Sequence, residues 1–276
     1  MKNNYPIHLE NMAADIYLQV VRLIAKRRIK KILSAYKADP VVKHLQVIRH
    51  DALREEIEKA KYSKALTAAD LVILQRKFGR LDTAAKAYSA HTLNNSIDKM
   101  KADLKKKETF KFNIEQNLDS PELLAVREKY LEGNMMLCEK LGNEYIADIG
   151  QAAMDAYLQG ESTEALRDKF MEITDVTESK ASFWARDQLG TAYSEYTKEM
   201  QTGAGIERYI WKTVGDNHVR DTHKILNGKV FNWIDGAEKT GLLDDGSGAK
   251  HPGEAYNCRC NADPTERPET PLEEIK

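Results

Sequence analysis

Cys258-Arg259-Cys260 places two thiols one residue apart in a chain of 276 residues that contains three cysteines. Two histidines, His223 and His251, precede them. Together these four residues make a Cys2His2 set suited to tetrahedral zinc at about 2.0–2.3 Å. In an extended strand the side chains of Cys-x-Cys point to opposite faces, so a shared metal requires a bend at Arg259. The competing reading is two small buried cysteines flanking an arginine that forms an ion pair, with His223 a hydrogen-bonded core residue. A second constellation, Asp216, His218, Asp221 and His223, has groups that can bind a divalent ion or exchange protons, as in a nuclease. The sequence has no His-Glu-x-x-His, no Pro-Cys-x-x-Cys and no phosphate-binding glycine loop. A non-enzymatic protein is the expectation, with a metal-dependent nuclease or hydrolase centred on Asp216, His218 and His223 as the alternative.

Around these residues the sequence reads as a small α+β unit. "ERYIWKTV" alternates like a strand, with Tyr209 and Trp211 on one side. In "GDNHVRDTHKILNGKVFNWI", Val219, His223 and Leu226 share the apolar face of a short helix, which directs His223 inward. Asp216 is suited to cap that helix, and Gly228 to close it in a left-handed conformation. "KVFNWI" reads as another strand, followed by a glycine-rich loop that could fold back on an ion. The last twelve residues are acidic and look flexible.

Upstream the chain is helical, with long stretches free of Gly and Pro and apolar residues at three- and four-residue spacing. Helices are expected at about 9–39, 43–62 and 67–107, the last opening on a Thr67-x-x-Asp70 capping signal. Others are expected at about 121–133, behind Ser120-Pro121, and at 134–159, 162–171 and 177–201. Ala181, Trp184, Ala185, Leu189, Ala192, Tyr193, Tyr196 and Met200 form the clearest stripe, read as a buried helix face. The fold expected is mainly α: an elongated helical N-terminal body with a small C-terminal α+β module. By sequence character the chain divides into a basic helical region (1–110), a helical region (111–205), an α+β module ending in Cys-Arg-Cys (206–264) and an acidic tail (265–276).

The formal net charge of −1 conceals an asymmetry. Residues 1–108 carry 23 Lys and Arg against 12 Asp and Glu; the remainder carries 19 against 31. A basic N-terminal half points to an anionic partner, nucleic acid first, unless these are merely solvated helix faces. Lys26, Arg27, Arg28, Lys30, Lys31, Lys105, Lys106 and Lys107 are the candidate phosphate contacts on duplex DNA, bound without sequence preference. No stretch has the length of apolar sequence a membrane span needs, and no secretory signal is evident. Few cysteines, unpaired by spacing, suit a reducing cytoplasm.

The series "WARDQLGTAYSEY", "GIERYIWKTVGDNHVRDTHKILNGKVF" and "HPGEAYNCRC" resembles, in order and spacing, the phage Mu F-like family of head morphogenesis (minor head or minor capsid) proteins. The positions carrying the resemblance are Trp211, Asp216, Val219, Arg220, His223, Gly228, Val230, Pro252, Cys258, Arg259 and Cys260, within roughly residues 160–262. Two departures are visible. Trp184-Ala-Arg-Asp187 stands where many members read Ala-Arg-Thr-Glu. His251-Pro252 lies farther before Cys258 than in compact His-Pro-x-Cys-x-Cys versions, which ranks His251 behind the other three donors. The resemblance implies a virion protein of the phage head interior, assembled in the bacterial host cytoplasm. Its implied partners are the portal protein, capsid or scaffold proteins and packaged DNA, with no membrane and no small-molecule substrate. Some members carry toxin domains, which this chain is expected to lack.

Overall fold

A computed structural model of the chain describes residues 4–37, 55, 57–58, 64–104, 118–243 and 249–275. The described residues are mainly helical and form one small antiparallel sheet near the C-terminus. Helix α1 (Ile7–Ile24) runs through a five-residue π-helical turn, Ala25–Ile29, into α2 (Lys30–Lys37). Three long helices follow: α3 (Ala68–Leu104), α4 (Pro121–Leu158) and α5 (Thr163–Gly203). The last part holds β1 (Arg208–Lys212), the short α6 (Asp221–Leu226), β2 (Val230–Asn232) and β3 (Asn261–Pro264). The helix expected at 43–62 lies almost entirely outside the described residues.

Helix starts follow local chemistry. Asp70 Oδ2 accepts bonds from the Thr67 amide and hydroxyl at 2.9 and 2.7 Å, and the Asp70 amide donates to Thr67 Oγ1 at 3.2 Å. This reciprocal pairing satisfies amides that the first helical turn leaves unpaired. Ser120 Oγ accepts from the Leu123 amide at 3.3 Å ahead of Pro121, and Ser162 Oγ accepts from the Ala165 amide at 3.1 Å. Two breaks expected from sequence are absent: Pro121–Leu158 is one helix and Thr163–Gly203 is another. No helix therefore starts near 177. Thr174 and Thr177 sit mid-helix and bond back to the carbonyls of Phe170 and Ile173 at 2.6 and 2.7 Å, so their hydroxyls do not compete for a cap.

The chain forms two compact units, each built from discontinuous segments. One comprises Ala13–Phe78 and Gly133–Ala185. Its core contains Tyr17, Val20, Ile24, Ile32, Phe78, Leu141, Tyr145, Ile149 and Phe170, all nearly inaccessible. Gly142 permits close helix approach, because a Cβ there would lie 2.8 Å from Ala65 Cβ and 2.9 Å from Ile24 Cδ1. Its polar anchors are buried and paired: the Tyr17 hydroxyl donates to Asn134 Oδ1 at 2.7 Å.

The other unit comprises Met1–Met12, Gly79–Glu132 and Arg186–Lys276. Its sheet has the order β2-β1-β3, with Tyr209 opposite Phe231 and Pro264, and Trp211 opposite Ala262. Tyr209 and Trp211 share one face, as their period-2 spacing requires, and meet Phe231, Trp233, Leu226, Cys258 and Cys260 in one apolar cluster. Each fully buried large aromatic removes about 150–250 Å² from water, worth about 4–6 kcal/mol before conformational entropy is subtracted. β3 begins directly after Cys260, so the Cys-Arg-Cys segment is anchored by the central strand.

The acidic C-terminal residues are tied down, contrary to the flexible tail that composition suggests. The Thr265 amide donates to Arg208 O at 3.1 Å, and Thr270 exchanges bonds with Val230 through its amide and hydroxyl at 3.0 and 2.8 Å. Glu269 accepts from Asn232 Nδ2 at 2.6 Å and pairs with Lys239, and Ile275 is buried in the sheet cluster. One apolar residue and three backbone anchors offset the charge repulsion that the composition implies.

Candidate metal centre

α6 is six residues long and positions one donor. Asp216 does not cap it: Arg220 occupies the N-cap position, while Asp216 Oδ1 accepts the His218 amide at 3.0 Å and its other oxygen pairs with Arg259. At the far end Gly228 has φ +81°, the left-handed conformation expected of it, and its amide donates to Trp211 O at 2.8 Å. His223, inside the helix, is 2% exposed. Its imidazole meets the indole of Trp211 edge-on, with ring centroids 5.3 Å apart.

The other two donors come from the loop that leads into β3. Asn257 has φ +55°, a left-handed conformation that asparagine tolerates better than most residues. The Cys258 amide donates to Ala255 O at 2.9 Å, and the Cys260 amide points at Cys258 Sγ at 3.4 Å. The segment is thus a bend before the strand begins, and both thiols face the same way. Arg259, between them, turns toward the Asp216 carboxylate.

His223 Nδ1 lies 3.5 Å from Cys258 Sγ and 3.5 Å from Cys260 Sγ. The three donor atoms lie within 4.8 Å of one another, with the thiols 5% and 4% exposed. Nδ1 has one lone pair for two sulfurs, and His223 Nε2 is buried with no hydrogen-bond partner. One nitrogen lone pair cannot serve two thiols fully, so hydrogen bonding alone leaves the cluster incomplete. Thiolate and imidazole are donors for a thiophilic divalent ion, and a metal between them would use all three at once. The bond from the Cys260 thiol holds Cys258 well below the usual thiol range against the opposing effect of burial, with His223 adding to the lowering. Cys260 is pushed up, first by that same bond and then by burial.

One face of α5 supports the loop. Asp187 Oδ1 accepts the Asn257 amide at 2.8 Å, and Ser194 Oγ donates to Pro252 O. A Cβ at Gly190 would lie 3.0 Å from Cys258 O. Further along, Gln201 Nε2 donates to Ala262 O at 2.9 Å and its Oε1 accepts from the Trp233 indole at 3.3 Å. Burial raises the Asp187 carboxyl, while the Asn257 amide pulls it back down.

His251 does not join the triad. Glu254 Oε2 accepts the Lys250 and His251 amides at 2.7 and 2.9 Å, fixing a turn that aims the imidazole elsewhere. His251 Nδ1 bonds the Tyr209 hydroxyl at 3.0 Å, and its ring packs against Tyr209 and Trp233. Burial lowers its pKa to about 4. The Asp216, His218, Asp221 and His223 constellation is not assembled either. Asp216 is paired with Arg259, His218 is exposed, Asp221 pairs with Lys224 at 2.7 Å, and His223 turns into the core.

The remaining motif residues are placed as supports. Trp211 is fully buried on β1, Val219 is half-buried ahead of α6, and Arg220 Nη2 donates to Tyr256 O at 2.7 Å. Of the candidate phosphate contacts, Lys26, Lys30 and Lys31 are exposed around the π-helical turn. Arg27 is engaged by Asp70 in a two-pronged pair at 2.6 and 3.0 Å. Lys105, Lys106 and Lys107 lie outside the described residues. The Asp187–Asn257 and Tyr209–His251 links carried no sequence signal beyond residue type, since each joins positions tens of residues apart.

Residues 147–263 match the model of the family described as "Phage Mu protein F like protein". An "Uncharacterized protein" of Haemophilus influenzae is 23% identical over 211 residues, which cover 74% of this chain and 45% of that protein. The chain thus spans less than half the length of that relative. No solved structure matches it. The matched range holds the supporting face of α5, nearly all of the sheet and all three donors, and over that range the chain is similar to the phage Mu protein F-like family.

Proposed function

We propose that the chain is a phage minor head protein acting in head morphogenesis, a virion component of the head interior with no catalytic role. The observation that carries this reading is the coincidence of the family match, residues 147–263, with the residues that build the His223, Cys258 and Cys260 cluster. In this reading the cluster holds a structural zinc ion. The ion links the loop before β3 to α6, where a glycine-rich segment has little apolar surface to hold it. The portal and the inner capsid or scaffold are the protein partners. Packaged duplex DNA is met through the basic turn around Lys26, Arg28, Lys30 and Lys31, with Lys105, Lys106 and Lys107 as further contacts.

Removing the gene from the phage that encodes it should leave heads that are malformed or deficient in DNA, and the protein should be present in purified normal heads. Normal infectious heads without the protein would overturn the assignment. Purified chain should carry one zinc, lost in Cys258→Ser and Cys260→Ser; zinc-free wild type would remove the metal part. Duplex DNA should bind at low salt, weaken steeply as salt rises, and weaken on charge reversal at Lys26, Lys30 and Lys31. Binding indifferent to both would remove the DNA part.

A further inference from the structure

We infer that the metal at this centre takes three donors from the chain and that its fourth position is filled by a small monodentate donor from solvent, water or hydroxide. This rests on the zinc reading above. The described residues bring His223, Cys258 and Cys260 together as a group able to hold an ion, with no fourth His, Cys, Asp or Glu in the group. The nearest histidine in sequence to the cysteine pair is His251, and its Nδ1 is engaged by the Tyr209 hydroxyl at 3.0 Å while its ring is packed against Trp233. The Asp216 carboxylate is used by Arg259 and by the His218 amide.

The two N···S edges fit a tetrahedral shell better than a planar one. With zinc–sulfur and zinc–nitrogen bonds of about 2.3 and 2.05 Å, a tetrahedral angle sets the N···S edge at about 3.6 Å, and a planar three-coordinate arrangement at about 3.8 Å. Both N···S edges measure 3.5 Å. Three donors arranged as one face of a tetrahedron leave the opposite apex vacant. A closed structural site would take a fourth protein donor, and none stands in the cluster among the described residues, so water completes the shell even though the ion's role here is structural. Exposure of 2%, 5% and 4% for the three ligands limits that donor to a molecule of very few atoms, which excludes an organic substrate. The position is therefore exchangeable by small ions such as azide and closed to anything larger.

The test uses the full chain. Metal analysis first establishes one equivalent of zinc or cobalt. X-ray absorption of the zinc protein should then show two sulfurs, one imidazole nitrogen and one light oxygen donor. Azide titrated into the cobalt(II) protein should shift the visible bands saturably, one azide per metal, whereas benzimidazole should leave them unmoved. His251→Gln should keep one metal and the same spectrum; if that variant does not fold, absorption on the wild type decides. A shell of two sulfurs and two imidazoles, or bands indifferent to azide, overturns the open position while leaving zinc in place. A chain that binds no metal overturns both readings.

Discussion

The carboxylate of Asp187 accepts the backbone amide of Asn257 at 2.8 Å, one residue ahead of the first cysteine of the pair and seventy residues away in sequence. The helix thereby holds the bend that turns both thiols inward. Asp187→Ala leaves that amide unpaired and should destabilise the protein by about 1–3 kcal/mol and weaken metal retention. Asp187→Asn keeps an acceptor oxygen and removes a charge whose burial is unfavourable, so it should recover most of the loss. Denaturant titration alongside competition with a zinc chelator reads both effects; an unchanged stability in Asp187→Ala would mean the amide bond contributes nothing.

His251 makes stability depend on acidity. Its folded-state pKa is lowered to about 4 from an ordinary 6.5, first by burial and then by Lys198 and Lys250, with Glu254 opposing. A base with a depressed pKa binds its proton better when unfolded. Its contribution is therefore present above about pH 6.5 and is lost as pH falls toward 4, up to about 3 kcal/mol. Unfolding measured in the presence of a chelator should show that loss between pH 7 and pH 4.5, and His251→Gln should flatten it. An unchanged slope in the variant would assign the effect to other groups.

Arg27 should behave differently from its basic neighbours. Its two-pronged pair holds Asp70 well below the usual carboxylate range, and the same carboxylate caps α3 through Thr67. Arg27→Met should cost about 1 kcal/mol, discounted for the partly exposed guanidinium, and should leave DNA binding closer to wild type than reversal of Lys26 or Lys31 does. The pair's contribution is present above the unfolded carboxylate pKa of about 4 and fades at lower pH. Thermal melts and a low-salt DNA titration on the same variants separate the two roles.

Gly253 has φ +88°, and a Cβ there would lie 2.6 Å from Ser194 Cβ. Gly253→Ala therefore combines a disfavoured conformation with a clash against α5, and a loss of about 2 kcal/mol or more is expected. Gly215, also at positive φ, has nothing within 4 Å of such a Cβ. Gly215→Ala should cost only the conformational part, about 1 kcal/mol. Parallel denaturant curves for the two variants check the difference.

Legibility from sequence followed the range of the interactions. The Thr67-x-x-Asp70 and Ser120-Pro121 starts were readable because capping acts over three residues. The inward turn of His223, the left-handed Gly228 and the shared face of Tyr209 and Trp211 follow from helical or strand period. β3 was not readable: "NADP" has no alternation of its own and is a strand only because β1 offers an edge to it. The breaks placed near 134 and 177 are absent because Gly133 and Asn134 are carried inside α4, and Thr174 and Thr177 bond back to helix carbonyls instead of capping a new start. His251 fitted a four-donor set by type, and only the turn fixed by Glu254 shows where its ring goes.

The unit that carries the metal donors joins Met1–Met12 to Arg186–Lys276. Within it, Glu10 pairs with Arg186 at 2.9 Å and Asn4 O accepts the Tyr193 hydroxyl at 3.1 Å. These closures span more than 170 residues, a separation that slows folding through the entropy of bringing distant chain together. On the ribosome, the first ten residues must wait for nearly two hundred others before their native neighbours exist. His223, Cys258 and Cys260 emerge later still, so their cluster cannot assemble until the stretch of α5 that holds residues 4 and 10 has already been made.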